Sequence, residues 1–121
     1  MKKYLTYRSL IRYGLGTIFI THGLVALIAP TEFIELLENS FVSALLPIDP
    51  ATFVKTVVMF NDTIVGLLLF SGFRLRLVAS WATLWLVGVM IVIGNDLMEI
   101  LEHIGLLFVS VALIIEDTLH T

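Results

Sequence analysis

Residues 77–94 read LVASWATLWLVGVMIVIG and contain no ionisable side chain. An α-helix needs about 20 predominantly apolar residues to cross the roughly 30 Å hydrocarbon layer of a bilayer. With Leu75 and Arg76 in front of it, the stretch reaches that length. It predicts a transmembrane helix over about residues 75–94, and it assigns the chain to the membrane proteins.

The composition extends this assignment to the whole chain. Of its 121 residues, 59% are hydrophobic and only 14% are charged, and the mean hydropathy is +1.03. Soluble domains carry about 25% charged residues, and a water-soluble chain of this size has no way to bury so much apolar surface. The length allows about four crossings, and we expect no additional soluble catalytic domain in these 121 residues. We therefore predict a single all-α membrane domain over residues 1–121.

Three further apolar segments predict the other spans, at about residues 10–29, 52–72 and 97–115. The first segment resembles a secretory signal peptide because basic residues precede it. Its apolar region is longer than the about 7 to 15 residues of such a signal, and more membrane-type sequence follows. We expect it to remain as the first helix of a four-transmembrane-helix bundle.

Residues 31–45 predict a short amphipathic helix between the first two spans. Apolar side chains recur there at helical spacing, and acidic side chains form a polar edge. The apolar set is Phe33, Ile34, Leu36, Leu37, Phe41 and Leu45, and the acidic set is Glu32, Glu35 and Glu38. The segment is too short and too acidic to cross, so we expect it to lie at the membrane interface.

The basic residues predict the orientation. Six of them fall on one side of the predicted bundle and only Lys55 falls on the other; the six are Lys2, Lys3, Arg8, Arg12, Arg74 and Arg76. By the positive-inside rule, both termini and the short turn at Phe73 are cytoplasmic. We expect a multi-pass protein of the prokaryotic plasma membrane, with the amphipathic segment outside.

Several function classes are excluded or disfavoured at this stage. Cysteine is absent, so this chain has no thiol nucleophile, disulfide relay or thiolate metal site of its own. The net charge is −3 and the basic residues form no continuous surface, so we expect no nucleic-acid partner.

Three polar residues are predicted at similar depth inside the membrane. At about 1.5 Å per helical residue, Asp62 lies near the middle of its span, and His22 and His103 lie slightly toward the outer side. An ionised Asp at a helix centre costs about 2.5 to 3.5 kcal/mol on insertion scales. These side chains should therefore face the interior of the bundle.

The helical spacing extends this set to a candidate polar cleft. Glu99, Glu102, His103, Leu106 and Ser110 share one face of the fourth span, and Lys55, Asp62 and Gly66 line up on the second. We predict a cleft open to the outside and formed by His22, Asn61, Asp62, Glu102 and His103. Lys55 and Glu99 are expected at its mouth.

Other interpretations of these residues stay open. Buried Asp, Asn and His side chains also hydrogen-bond between helices for structural reasons alone, at about 0.6 to 2 kcal/mol per contact. Two histidines on different spans are a possible haem ligand pair, but we expect no haem. We also expect no metal site, because the chain has no tight ligand signature such as His-Glu-x-x-His. Trp81 and Trp85, one turn apart, are expected to pack against neighbouring helices.

Residues 62–79, DTIVGLLLFSGFRLRLVA, resemble the acid-x3-Gly-x5-Gly stretch and basic turn of the DoxX family. The first span is similar to that family as well, with Arg12, Gly16, Phe19 and Gly23 in its Arg-x3-Gly-x2-Phe-x3-Gly pattern. The chain departs from the family in having Asp62 where Glu is usual and Ala26 where Lys often occurs. It also lacks the usual Ser-x-Asp ending.

The resemblance implies a function that the spacing alone does not. The related DoxD protein is a membrane subunit associated with thiosulfate oxidation to quinone. The hypothesis is therefore an accessory or quinone-linked subunit of a membrane oxidoreductase system. A quinone ring would lie in the cleft beside Trp81, Phe60 or Phe108, and a partner oxidoreductase subunit or a second copy of the chain would bind the bundle. The alternatives are a non-catalytic membrane scaffold for a partner protein, and a small carrier of protons or solutes.

Overall fold

The computed structural model describes residues 6–94 and 96–119. Four helices in this part of the chain are each long and apolar enough to cross a membrane: Tyr7–Ile28, Pro50–Ser71, Leu75–Ile93 and Leu97–Leu119. They are called the first to fourth spans below. The predicted fold class, an all-α membrane protein built on four transmembrane helices, is confirmed.

The first and fourth spans extend beyond their predicted ends on the basic side of the bundle. The first begins at Tyr7, where the Thr6 hydroxyl accepts a hydrogen bond from the Ser9 backbone N–H at 3.2 Å. The fourth continues to Leu119 instead of ending near residue 115. Arg8 holds its last turn through Asp117, at 2.6 Å, and Arg76 lies 3.5 Å from the other carboxylate oxygen. Residues 116–119, beyond the predicted end of this span, are therefore helical, and the paired charge of Asp117 stabilises them there.

A three-residue turn, residues 72–74, joins the second and third spans and is one residue longer than the predicted span ends leave. Gly72 ends the second span in the left-handed conformation, with φ 74°, and its N–H donates to the Leu68 carbonyl. The Arg12 guanidinium lies directly over it, because a Cβ on Gly72 would be 3.0 Å from Arg12 Nη1. Arg12 also donates to the Phe70 carbonyl at 3.4 Å. A cation is thus placed at the negative end of the second helix, where the macrodipole favours it.

The first and second spans pack closely at three glycines. Gly16, Gly23 and Gly66 each lie so near the facing helix that a Cβ would approach a backbone atom within about 3 Å. Small residues at such positions let helix backbones approach in a membrane, where dispersion contacts and not water exclusion drive association. The glycines of the sequence pattern are therefore the contact surface of this helix pair.

The third and fourth spans form the second closely packed pair. Ala79 and Ala82 are fully buried, and the Thr83 and Ser110 hydroxyls lie 2.8 Å apart across the pair. The two helix pairs meet in a core that includes Leu15, Phe19, Leu69, Leu86 and Leu113.

The segment between the first two spans is two short helices and not one. An α-helix covers Thr31–Glu38, and a 3-10 helix follows at Phe41–Leu45, beginning where the Ser40 hydroxyl accepts from the Val42 N–H. Leu37 is buried against the bundle, whereas Phe41 and Leu45 are 68% and 74% exposed. The break at Ser40 turns the later residues away from the apolar stripe that a continuous helix would have had.

Candidate functional site

A cavity of about 280 Å³ lies between the two helix pairs, at the end of the bundle where the Thr31–Glu38 helix packs. Its walls are mainly apolar and come from all four spans and the short helices. The lining residues are Phe19, His22, Phe33, Leu36, Leu37, Val42, Phe53, Val54, Val58, Asp62, Trp85, Leu86, Gly88, Val89, Val92, Ile93, Glu99 and His103. The cavity is therefore a hydrophobic site with a few polar groups.

Asp62 has the most deeply buried carboxyl group of this site. It lies near the middle of the second span and is only 4% exposed. The Asn61 amide donates to its Oδ1 at 3.0 Å, and the Trp85 side chain faces the same carboxyl group. Asp62 thus points into the bundle, as the cost of a lipid-facing carboxylate requires.

His22 and His103 form a stacked pair on another wall. Their ring centroids are 6.2 Å apart with an interplanar angle of 23°, and Phe33 meets the His22 ring edge-on at 6.0 Å. His103 Nδ1 lies 2.8 Å from the Glu99 backbone carbonyl. A carbonyl only accepts hydrogen bonds, so Nδ1 carries the proton and a neutral ring keeps Nε2 as an acceptor. The local helix thereby fixes the His103 tautomer.

The structure brings together four of the residues that the sequence singled out. His22, Asp62, Glu99 and His103 all line the cavity, and Glu99 is half-buried. Asn61 does not line it but hydrogen-bonds to Asp62 from outside the lining.

Glu102, in contrast, is exposed and does not line the cavity. It directly precedes His103, and neighbouring residues of a helix with 3.6 residues per turn point about 100° apart. His103 is buried, whereas Glu102 lies on the exposed side of the same helix, although its charge is near enough to act on His22. The prediction that both residues line it is wrong for Glu102.

Lys55 is also exposed and does not line the cavity, contrary to the expectation that it stands above Asp62. The cause is a π-helical turn at Val54–Val58 near the start of the second span. A π-turn bonds i to i+5 and takes an extra residue, which rotates everything before it relative to a regular α-helix. Val54 and Val58 face the cavity above Asp62 instead.

Sequence reasoning missed Trp85 as a wall of the site and misplaced the aromatic residues beside it. Phe60 and Phe108, considered as ring-stacking walls, are 57% and 71% exposed. Trp85, Val89 and Val92 line the cavity at i, i+4 and i+7. That spacing marks one face of the third span, but the span is apolar all round, so periodicity did not distinguish this face.

The polar groups of the site are not arranged as a metal centre. No three His, Asp or Glu side chains converge closely enough to hold a metal ion within residues 6–94 and 96–119. The groups present suit hydrogen bonding and proton exchange with a small, partly apolar ligand.

Comparison with known proteins gives one family. The DoxX family model matches residues 8–95, which include the first three spans except Tyr7, the short helices and most of the cavity lining. The searches of curated proteins and of solved structures found no match.

Proposed function

The chain belongs to the DoxX family, and from this premise we propose that it binds a quinone ring in the cavity, as a quinone-linked or accessory subunit of a membrane oxidoreductase system. The observation that carries the proposal is a single apolar cavity into which Asp62, His22 and His103 all project.

The size and chemistry of the cavity support a ring-sized ligand. About 280 Å³ is just below the 300 to 1,000 Å³ of typical small-molecule sites. Such a space suits one substituted ring and is small for a macrocycle such as haem. Phe19, Leu86 and Val89 provide apolar surface for the ring faces. An isoprenoid tail is compatible with the surrounding lipid.

The polar residues match the two oxygens of a quinone. An oxidised ring presents carbonyl acceptors, whereas a reduced ring presents hydroxyl donors. In this proposal Asp62 meets one oxygen, and the His22–His103 pair meets the other. The Glu99 carbonyl holds the Nδ1 proton of His103, so in this proposal His103 Nε2 is the atom that takes up or returns a proton when the ring changes redox state. Electrons come from or pass to a partner subunit.

The proposed location is a prokaryotic plasma membrane with both termini in the cytoplasm. The support is the six-to-one distribution of basic residues, which places Arg8, Arg12, Arg74 and Arg76 at one end of the bundle. The cavity lies toward the other end, beside the Thr31–Glu38 helix. Protons would therefore exchange between the cavity and the outer side of the membrane.

The first test is purification in a mild detergent followed by mass spectrometry of the extracted lipid. The proposal predicts quinone in the extract of the wild-type protein and much less in that of Asp62→Asn, which keeps the shape but loses the proton. The matched control is Asp96→Asn, at an exposed carboxylate. An extract free of quinone, with a partner protein bound at fixed ratio, would support the scaffold hypothesis instead.

A further inference from the structure

A chain of hydrogen bonds connects a tryptophan on the outer surface of the bundle to the carboxyl group in the cavity. Trp81 is 47% exposed on the third span, and its Nε1 lies 2.7 Å from Asn61 Oδ1. Asn61 Nδ2 in turn lies 3.0 Å from Asp62 Oδ1. The chain runs from a lipid-facing indole to a residue that is 4% exposed.

The direction of every bond in this chain is fixed by chemistry. The two ends of an Asn amide are normally hard to distinguish, and their assignment depends on the hydrogen-bond partners. An indole N–H only donates, so the atom of Asn61 that faces Trp81 must be the oxygen. The amide NH₂ then faces Asp62, and Asp62 Oδ1 accepts from it.

This fixed direction has a consequence for the Asp62 proton. An oxygen that accepts from Asn61 is the carbonyl-type oxygen of a protonated carboxyl group, so the proton resides on Oδ2. The Trp85 side chain is a second hydrogen-bond partner of this carboxyl group. We propose that Trp81 and Asn61 are positioning residues that orient the Asp62 carboxyl, so that Oδ2 is the oxygen that exchanges a proton with a ligand in the cavity.

The orientation gives Asp62 a defined hydrogen-bond partner on the ligand in each protonation state. When protonated, Oδ2 donates to a carbonyl, the group of an oxidised ring. When ionised, Oδ2 accepts from a hydroxyl, the group of a reduced ring. That the ring is a quinone depends on the proposed function, whereas the orientation of the carboxyl group does not.

A purely structural role for the same bonds makes a different prediction. Trp81 and Asn61 also connect the second span to the third. If that were their only role, Trp81→Phe would lower stability while the Asn61 amide kept its bond to Asp62 Oδ1, and the hydrogen bonding of that oxygen would not change. The readout must therefore report on that oxygen directly.

Infrared spectroscopy of the whole protein in lipid nanodiscs provides this readout. The C=O stretch of protonated Asp62 is identified at acidic pH as the band that Asp62→Asn removes. A hydrogen bond accepted by the C=O oxygen weakens the C=O bond. We therefore expect Asn61→Leu to shift the band to higher wavenumber, and Trp81→Phe to broaden or split it because the Asn61 amide can then flip.

The matched control is Phe108→Leu, which removes another lipid-facing ring, 71% exposed, and should leave the band unchanged. Trp81→Phe keeps an aromatic ring, so it tests the proposal even if Asn61→Leu does not fold. An Asp62 band in Trp81→Phe identical to that of the wild type overturns the proposal.

Titration with a short-chain benzoquinone separates this proposal from the proposed function. We expect Asn61→Leu to weaken binding about tenfold, the loss of one hydrogen bond to a charged or proton-bearing group. If the infrared band shifts as expected but the wild type binds no quinone, the positioning role stands and the quinone assignment fails. If the wild type binds quinone and the band does not shift, the quinone assignment stands and the positioning role fails.

Discussion

Gly16 and Gly66 face each other across the first two spans, each with its Cα against the other's backbone carbonyl. A Cβ on Gly16 would lie 3.0 Å from the Gly66 carbonyl oxygen, and a Cβ on Gly66 would lie 2.8 Å from that of Gly16. Because backbone oxygens of packed helices do not move aside, any side chain here forces the helices apart. The close contact therefore depends on both glycines.

Gly66→Ala should destabilise the bundle by about 1 to 3 kcal/mol, the usual range for overpacking a well-packed interface. The measurement is thermal unfolding in detergent. Gly14→Ala and Gly105→Ala are the matched controls, because a Cβ at either position meets nothing within 4 Å. Both should be neutral or slightly stabilising, since Ala favours the helix over Gly by about 0.5 to 1 kcal/mol. Equal effects at all three positions would contradict the packing role of Gly66.

Asp117→Asn should lower the free energy of unfolding by about 1 to 2 kcal/mol. The carboxylate is mostly buried and lies against Arg8 at 2.6 Å and Arg76 at 3.5 Å, and hydrogen bonds to charged groups are worth about that much. High salt should reduce the difference between variant and wild type. Glu35→Gln, at an exposed carboxylate, is the control and should have no measurable effect. A neutral Asp117→Asn would show that the ion pairs do not hold the end of the fourth span.

The start of the second span should weaken in acid. Hydrogen bonds from the backbone N–H and the hydroxyl of Thr52 hold the pKa of the Asp49 carboxyl below its usual value of 3.8. Because the folded pKa is the lower one, this cap stabilises the helix start above the unfolded pKa. Its contribution is lost as the pH falls through the folded pKa.

Amide exchange at Thr52, corrected for the intrinsic effect of pH, measures this cap. Asp49→Ala should speed exchange of the Thr52 amide at neutral pH. The Asn side chain of Asp49→Asn caps the helix without titrating, so in that variant the Thr52 amide should be protected at both neutral and acidic pH. Acid-dependent opening that persists in Asp49→Asn would assign the effect to another group.

Single cysteines test the proposed orientation directly, because the chain has none of its own. In intact cells, Asn39→Cys should react with a membrane-impermeant maleimide and Phe73→Cys should not. Both positions are exposed, so accessibility in the folded protein does not limit the reaction. Permeabilised cells provide the control, in which Phe73→Cys must label. Labelling of Phe73→Cys from outside would reverse the topology.

The fold was largely predictable because its signals are strong and local. Uninterrupted apolar stretches define the spans, and Gly72 with Arg74 defines the turn between the second and third. The end of the fourth span was missed because its stability depends on Asp117 pairing with Arg8, more than a hundred residues away in the sequence. Such a tertiary ion pair leaves no local pattern.

The site was only partly predictable, for a related reason. His22, Asp62 and His103 were placed by depth alone, and the structure puts all three on one cavity. Lys55 and Glu102 were placed by their angular position around a regular α-helix. For Lys55, the π-turn at Val54–Val58 changed that position. For Glu102, the spacing assigned both it and His103 to one inward face, whereas the structure buries His103 and exposes Glu102. The bond from Trp81 to Asn61 joins two helices and has no sequence signature.

The central claim is that the cavity between the two helix pairs holds a quinone ring, and blocking that space tests it most directly. Val89 lines the cavity, whereas Val87, two residues away on the same span, is 41% exposed and does not. Val89→Phe and Val87→Phe therefore add the same volume, one inside the site and one outside. The measurement is titration of each variant in nanodiscs with a short-chain benzoquinone. We predict that Val89→Phe binds it about tenfold or more weakly than the wild type, equivalent to about 1.4 kcal/mol or more. Val87→Phe should bind it with unchanged affinity. Equal affinity of the two variants and the wild type, with all three folded, would contradict the claim.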